Sequence, residues 1–292
     1  LASSLRASFP NPSVALLNGN FYWWESGTTL DALLTYWHVN ADTSYNDLVS
    51  NTLLSQTTGT NDFMVGGQAT GNDDQSWWAL AAMTATEYSL PAPATPWQTL
   101  AANVFNDQKG RWQTDTCSGG LKWKINAGDT GYTYRSTISN ALFFQLAARL
   151  ARFNDDADAL AWAEKAYSWM STTGGGGGVV TSSFDVFDGT SDSNGCSDVN
   201  HDLWSYNTGA MLYGSAIMAS HTNDQVWKDR AQGFLDAVKR NFMQDGRLFE
   251  TKCEGAGSCN ADQVSFKGIL ARWLGASAVV LPDLAAQVGE IL

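Results

Sequence analysis

The stretch STISNALFFQLAARLARFNDDADALAWAEKAYSWMST, residues 136–172, decides how this chain folds. Apolar residues recur every three or four positions on both sides of Asn154–Asp155, which predicts helices over 134–153 and 156–172. Two helices joined by so short a link form a helical hairpin. Working outward, the same period returns over 24–38 (Trp24, Leu30, Leu33, Leu34, Trp37), 43–56, 73–88, 96–112, 204–221, 224–243 and 262–281. Partial helices are expected at 1–8 and 283–291. The links Val39–Asp42, Ser89–Thr95 and His221–Asn223 are again short, so the hairpins stack into an all-α toroid. Six hairpins need twelve helices; nine full and two partial ones are visible. Helix starts are expected at Thr43 or Asp42, and at the caps Asn72, Asn223 and Asn260. Small β elements are expected in loops, at Gly120–Ile125 and Arg247–Thr251, each after a glycine turn. No linker divides the chain, so residues 1–292 read as a single domain. The run Gly174–Gly178 opens an irregular stretch to about Asn200, too long for an idle connector.

The composition narrows the function. Seventeen basic against 29 acidic side chains give −12 over 292 residues. Such a chain offers no basic groove for nucleic acid. No apolar run approaches the ~20 residues that cross a bilayer. The chain begins at Leu1 and is read as processed. Four cysteines suit two disulfides. Cys253 and Cys259 bracket the short loop EGAGS, and Cys117 would then pair with Cys196. Four free thiols are the alternative, and belong to a reducing compartment. No metal site is expected, because the cysteine spacing and three scattered histidines do not form a ligand set. No cofactor fingerprint appears either.

The links before alternate helices are longer and richer in Trp, Gly, Asp and Asn. They are Asn20–Ser26, Thr57–Asp74, Thr116–Asn140, Gly174–Asn207 and Glu250–Gln263. In a toroid these alternate helices form the inner ring, and the loops entering them share one mouth. At one entrance stands Gly71-Asn-Asp-Asp-Gln-Ser-Trp-Trp78. Adjacent helical residues point ~100° apart, so Asp73 and Asp74 can flank one small volume. Glycoside hydrolysis uses such a pair, one as nucleophile or base and one as proton donor. The helix dipole favours ionisation of the residue nearer the terminal amides, and its charge would keep the neighbour protonated. The plainer account is that Asn72 caps the helix and two acids favour its first turn.

Thirteen tryptophans supply indole faces on which sugar rings stack. Trp24, Trp123 and Trp204 lie in mouth-forming segments, whereas Trp37, Trp97, Trp162, Trp169 and Trp273 sit mid-helix and read as core. Further polar groups stand at the other entrances: Glu25, Asn140, Tyr206, Asn207, Asp262, Gln263 and Lys267. Asp31 follows Trp24 by seven residues on the same helix face. Against these readings, Lys267 suits a surface salt bridge, and Asn140 and Asn207 suit buried structural amides.

The runs FYWWESG, NDF, GNDDQSWWALAAMTATE, CSGGLKW, STISNALFFQLAARLAR, VFDG, WSYNTGAMLYGSA and CNADQVSFKGILARW, in that order from about residue 21 to 280, resemble fungal glycoside hydrolase family 76. The resemblance implies an (α/α)6 barrel and a retaining endo-α-1,6-mannanase, with Asp73 as nucleophile and Asp74 as general acid/base. It implies that Asp188, in VFDG, approaches the sugar before the scissile bond. It makes Trp24, Glu25, Asp31, Asp62, Trp123, Asn140, Trp204, Tyr206, Asn207, Asp262, Gln263 and Lys267 pocket candidates. The implied partners are α-1,6-mannan or a GPI-core glycan, with wall glucan as acceptor in a transglycosylase branch. A monomer is expected. The implied location is outside the cell, secreted or held at the wall or outer membrane face, including through a GPI anchor on the precursor. A mannan-binding module without turnover is one alternative. An (α/α)6 enzyme acting on unsaturated uronic acids is another, disfavoured by the scarcity of basic residues.

Overall fold

A computed structural model describes residues 2–172 and 176–292 of the chain. Gly174 and Gly175, the start of the expected glycine loop, lie outside the described residues. The chain forms two compact units, Leu1–Gly110 and Arg111–Leu292.

The first unit holds α1 (Ala2–Ala7), α2 (Trp23–Asn40), α3 (Asn46–Ser55), α4 (Asn72–Glu87) and most of α5 (Trp97–Arg111). α4 is buried almost all round, through Trp77, Trp78, Leu80 and Met83, and packs against α2. Gly27 permits that approach, because a Cβ there would stand 3.1 Å from the Trp78 ring. α5 buries a single stripe, Trp97, Leu100, Ala101, Val104, Phe105 and Gln108, at helical spacing. α3 opens at Asn46 with Tyr45 in the cap position, later than the expected Thr43 or Asp42.

The second unit is built on α6 (Thr137–Asn154), α7 (Ala157–Ser171), α8 (Ser205–Thr222), α9 (Gln225–Asn241), α10 (Gln263–Val280) and α11 (Ala285–Gly289). The stretch 136–172 is the expected hairpin, turned at Asp155 in a left-handed conformation and restarted by the Asp156 cap. α6 packs on α7 and α8, and α8 on α9 and α10. Alternate helices therefore touch one another, while α7 and α9 cover them with one apolar stripe each. Gly214 sets the α6–α8 distance, since a Cβ there would lie 2.4 Å from Phe144. Asn223, expected as a cap, instead ends α8 with φ 53°, and Asp224 caps α9 through the Val226 amide.

The β structure departs from expectation. Gly120–Ile125 is irregular apart from a single bridging residue, Lys124. Three antiparallel strands take its place: β1 (Tyr134–Ser136), β2 (Phe187–Ser191) and β3 (Val199–Leu203), in that order. β1 runs straight into α6, so the helix expected from residue 134 begins at Thr137. The expected element near Arg247 is real: β4 (Met243–Gln244) pairs with β5 (Arg247–Leu248). Its turn, Asp245-Gly246, has φ of 51° and 71°, the geometry a tight hairpin demands.

Both expected disulfides are present, Cys117–Cys196 and Cys253–Cys259, so the free-thiol alternative falls. The first ties the loop before β1 to the β2–β3 connection. Fully buried Arg135 reinforces it, reaching Asp192 at 2.6 Å, Thr116 Oγ1 at 2.7 Å and the Gly120 carbonyl. Lys122 joins Asp192 at 2.8 Å. Burial opposes the charge on Asp192, but these two cations hold its carboxyl below the usual range. Among the described residues no helix is long and apolar enough to cross a membrane.

Candidate active site

In the first unit, the approach to α4 is a hydrogen-bonded loop. Asp62 accepts from the Thr58 and Thr60 hydroxyls at 2.6 Å each and from the Met64 amide at 3.1 Å. Partial burial works against its charge, yet these donors outweigh it and keep the carboxyl below its ordinary value. The Asp62 carbonyl accepts from Gln75 Nε2 at 2.6 Å, and the same amide reaches Asp107 of α5 at 3.1 Å. Asp62 is thus a fastening for the α4 entrance.

The N-cap of α4 is Gly71, not the expected Asn72. The physical reason is that the capping bond comes from behind. Asp74, three residues in, turns Oδ2 back to the Gly71 amide at 2.8 Å and to the Thr70 amide and hydroxyl at 3.1 Å each. This N3 carboxylate needs no side chain at the cap position. Asn72 is instead buried, its carbonyl accepting from Gln108 Nε2 at 2.7 Å and Ser76 Oγ at 2.9 Å. Asp73 lies between these two, and both aspartates are half-buried. The pair therefore sits on a rigid helix start, with the orientation of Asp74 fixed by three donors.

α2 begins the same way. Glu25 Oε2 accepts from the Tyr22 amide at 2.6 Å, so this buried acid serves the helix start. Trp24 is buried against Trp77, ring centroids 5.0 Å apart, and is not an open stacking face. Asp31 is buried further along α2.

In the second unit, Asp188 on β2 is the centre of a polar cluster. The Tyr134 hydroxyl donates to Asp188 Oδ2 at 2.6 Å and Asn200 Nδ2 at 3.2 Å. Fully buried Asn207, in the first turn of α8, also favours the charged form of this carboxylate. Burial and the Asp202 charge prevail over these bonds and push the Asp188 carboxyl up. Burial and the Asp188 charge raise the Tyr134 phenol in turn.

The other candidates divide. Trp204 caps α8 and meets Phe266 edge-on, at 5.7 Å; Tyr206 stacks flat on the same ring at 3.8 Å. Trp123 is half-buried, with the Lys124 ammonium 4.0 Å from its ring centre. Asn140 is the structural amide of the plainer reading: it bonds both backbone groups of Leu121, at 2.7 and 3.0 Å, and the Ser136 carbonyl at 2.9 Å. Gln263 and Asn260 exchange side chain-to-amide bonds of 3.0 Å, so the expected Asn260 cap does act at the start of α10. Asp262 occupies the cap position, its carbonyl accepting from Ser265. Lys267 pairs with Glu254, as a surface salt bridge would.

Sequence reasoning passed over Tyr134, Asn200 and Glu250. Glu250 is buried and bonds Ser205 through both carboxyl oxygens. Its signals in the sequence are its place in RLFET, an otherwise strand-like run, and at the head of the entrance link Glu250–Gln263.

Comparison with known proteins agrees with this picture. The sequence model of glycosyl hydrolase family 76 matches residues 5–292. The mannan endo-1,6-alpha-mannosidase DCW1 of Candida glabrata is 37% identical over 94% of this chain. That of Saccharomyces cerevisiae is 38% identical over 94%. This chain spans 62% of the length of each. The crystal structure of Dfg5 from Chaetomium thermophilum in complex with glucosamine matches with a TM-score of 0.94 at 34% identity, covering 99% of this chain and 74% of that one. That likeness gives the chain the all-α, (α/α)6 barrel class expected from its hairpins.

Proposed function

Because the chain belongs to glycosyl hydrolase family 76, we propose that it is a retaining endo-α-1,6-mannanase, acting by double displacement on α-1,6-linked mannose backbones. The carrying observation is the consecutive Asp73–Asp74 pair on the first turn of α4, one of the two oriented by three hydrogen bonds. The Asp73 carboxylate attacks the anomeric carbon. The bond to the leaving oxygen breaks as Asp74 donates its proton to that oxygen. Asp74 then takes a proton from the incoming hydroxyl, which attacks the same carbon and releases Asp73. The Tyr134–Asp188–Asn200 cluster offers one acceptor and several donors to sugar hydroxyls, and supports a binding role for Asp188 and Asn207. Trp204 and Tyr206 lie between Asn200 and Asn207 in sequence and are further binding candidates, with Asp31, Trp123 and Asp262. No cofactor is needed for these steps.

The incoming hydroxyl is water in a hydrolase and a wall-glucan hydroxyl in a transglycosylase. The glucosamine bound by the Chaetomium protein favours a GPI-core glycan, which contains that sugar, as donor. Residues 1–292 act in this reading as one monomeric catalytic domain. The two disulfides support a place outside the cell, secreted or at the wall. Mass spectrometry of α-1,6-mannotetraose incubated with and without an acceptor glycan tests the proposal. Shorter products alone mean hydrolysis and longer ones transfer; unchanged tetraose and GPI-core glycan overturn both.

A further inference from the structure

One buried acid takes no part in the steps above. Glu250 follows β5 and is 1% exposed. Its Oε1 accepts from the Ser205 amide at 3.1 Å, and its Oε2 lies 2.5 Å from the Ser205 hydroxyl. Ser205 is the first residue of α8, so its amide is one of the donors that no helical carbonyl can satisfy. Trp204, the cap residue, offers no side-chain bond there. Glu250 thus caps α8 from a segment 45 residues away. Its own backbone is locked in turn: its carbonyl accepts from the amides of Cys253 and Glu254, within the loop closed by Cys253–Cys259.

We propose that Glu250 is a positioning residue: it clamps the first turn of α8 to the disulfide-closed loop, and so holds Trp204, Tyr206 and Asn207 in place for the sugar. The proposal rests on the reading of α8's start as part of the mannan site. The charges around Glu250 fit a clamp that works as a neutral acid. Glu254 precedes the helix α10 and repels a second charge; Lys267 of α10 is already paired with Glu254. Lys252 is spent on Asp202 of β3, at 2.5 Å. Burial first, and Glu254 next, push the Glu250 carboxyl up to about 7, against the opposing bonds from Ser205 and the charge of Lys267. The Ser205 amide and hydroxyl both donate to the carboxyl, and a neutral carboxyl, still accepting from the amide, can turn its own proton onto the hydroxyl oxygen. A cavity of about 280 Å³, lined by Glu250, Glu254, Gln263 and Lys267, gives solvent a route to the group.

The linkage has a definite sign. A carboxyl whose folded value is raised burdens the folded state increasingly as pH climbs from its unfolded value, near 4.5, to about 7. The test compares wild type, Glu250→Gln, Glu250→Ala and Ser205→Ala on α-1,6-mannotetraose from pH 4.5 to 8.5. Glu250→Ala is expected to raise KM about tenfold at pH 5, the equivalent of ~1.4 kcal/mol, with kcat changed far less. Ser205→Ala, which keeps the amide bond, is expected to raise it less. Glu250→Gln, which can accept and donate like the neutral acid, should keep KM within about twofold at pH 5. It should also abolish the rise in KM that titration of Glu250 is expected to give the wild type near pH 7. Unchanged KM in Glu250→Ala, or a wild-type pH profile in Glu250→Gln, overturns the clamp. If wild type turns over no mannan, the functional reading fails separately, and thermal unfolding still decides. The melting temperature of wild type relative to Glu250→Gln should fall between pH 5 and 8; a constant difference overturns the proposal.

Discussion

α2 and α4 pack together and begin with the same device, yet only α4 carries two acids in its first turn. Both place a carboxylate at the third helical residue and turn it back on the cap amide, Glu25 on Tyr22 and Asp74 on Gly71. The difference lies one residue earlier. α2 has Trp24 there, stacked on Trp77; α4 has Asp73. A third-position acid is therefore ordinary folding chemistry, and Asp74 would be written off as a cap if it stood alone. What turns a cap into a candidate catalytic pair is the second carboxylate beside it. Both starts are tied by further bonds, α4 through Thr70, Gln75 and Gln108, and α2 through Trp23 to Gln56 and Ser26 to Leu17. A residue with two duties is placed where the backbone cannot yield.

Substitution should separate the two duties. Asp73→Asn is expected to show the largest effect, lowering kcat by about 10⁴-fold or more while moving the melting temperature by only about 1 °C. Steady-state rates on mannotetraose and a thermal melt check both halves. Asp74→Ala should lose about 10²–10⁴-fold in kcat and also melt some 2–4 °C lower, because it removes a cap worth ~1 kcal/mol. Glu25→Ala should match that melting loss, with kcat reduced less than about tenfold. A Glu25→Ala variant as inactive as Asp74→Ala would break the comparison, and show that the α2 acid shares in the chemistry.

The helical hairpins were legible because their signal is local. Residues 136–172 carry their period, their two-residue link and their caps within reach of one another. The short disulfide was equally local. Non-local contacts hid the rest. β1 is only three residues long and reads as the first turn of α6, until β2 arrives from more than fifty residues away. The same pairing brings Tyr134 to Asp188, so the acid was legible in VFDG and its partner was not. Glu250 finds its partner, Ser205, on another element. The polar residues at the helix entrances have a second reading for one reason. Asn140, Glu25 and Gln263 are polar residues at helix entrances, where backbone amides and carbonyls also need partners. Sequence shows that such a residue stands at a helix entrance; only geometry shows the bonds it makes to Leu121, Tyr22 and Asn260.

The smallest expected effect sharpens the comparison at the loop that α2 lacks. Asp62 gathers Thr58, Thr60 and Met64, and its carbonyl holds Gln75 on α4. Because those donors keep its carboxyl below the ordinary range, the stabilisation it gives is present above that range and fades as pH falls through the lowered value. Asp62→Asn should therefore cost a little stability at pH 7 and progressively less at pH 3 and below, as protonation removes the same bonds from wild type. Exposure of the group keeps the difference small. Melting curves at both pH values read it directly, and activity at pH 5 adds the functional half. If Asp62→Asn leaves melting untouched at pH 7 but weakens turnover severalfold, Asp62 acts on the sugar, and the α4 entrance carries three working acids instead of two.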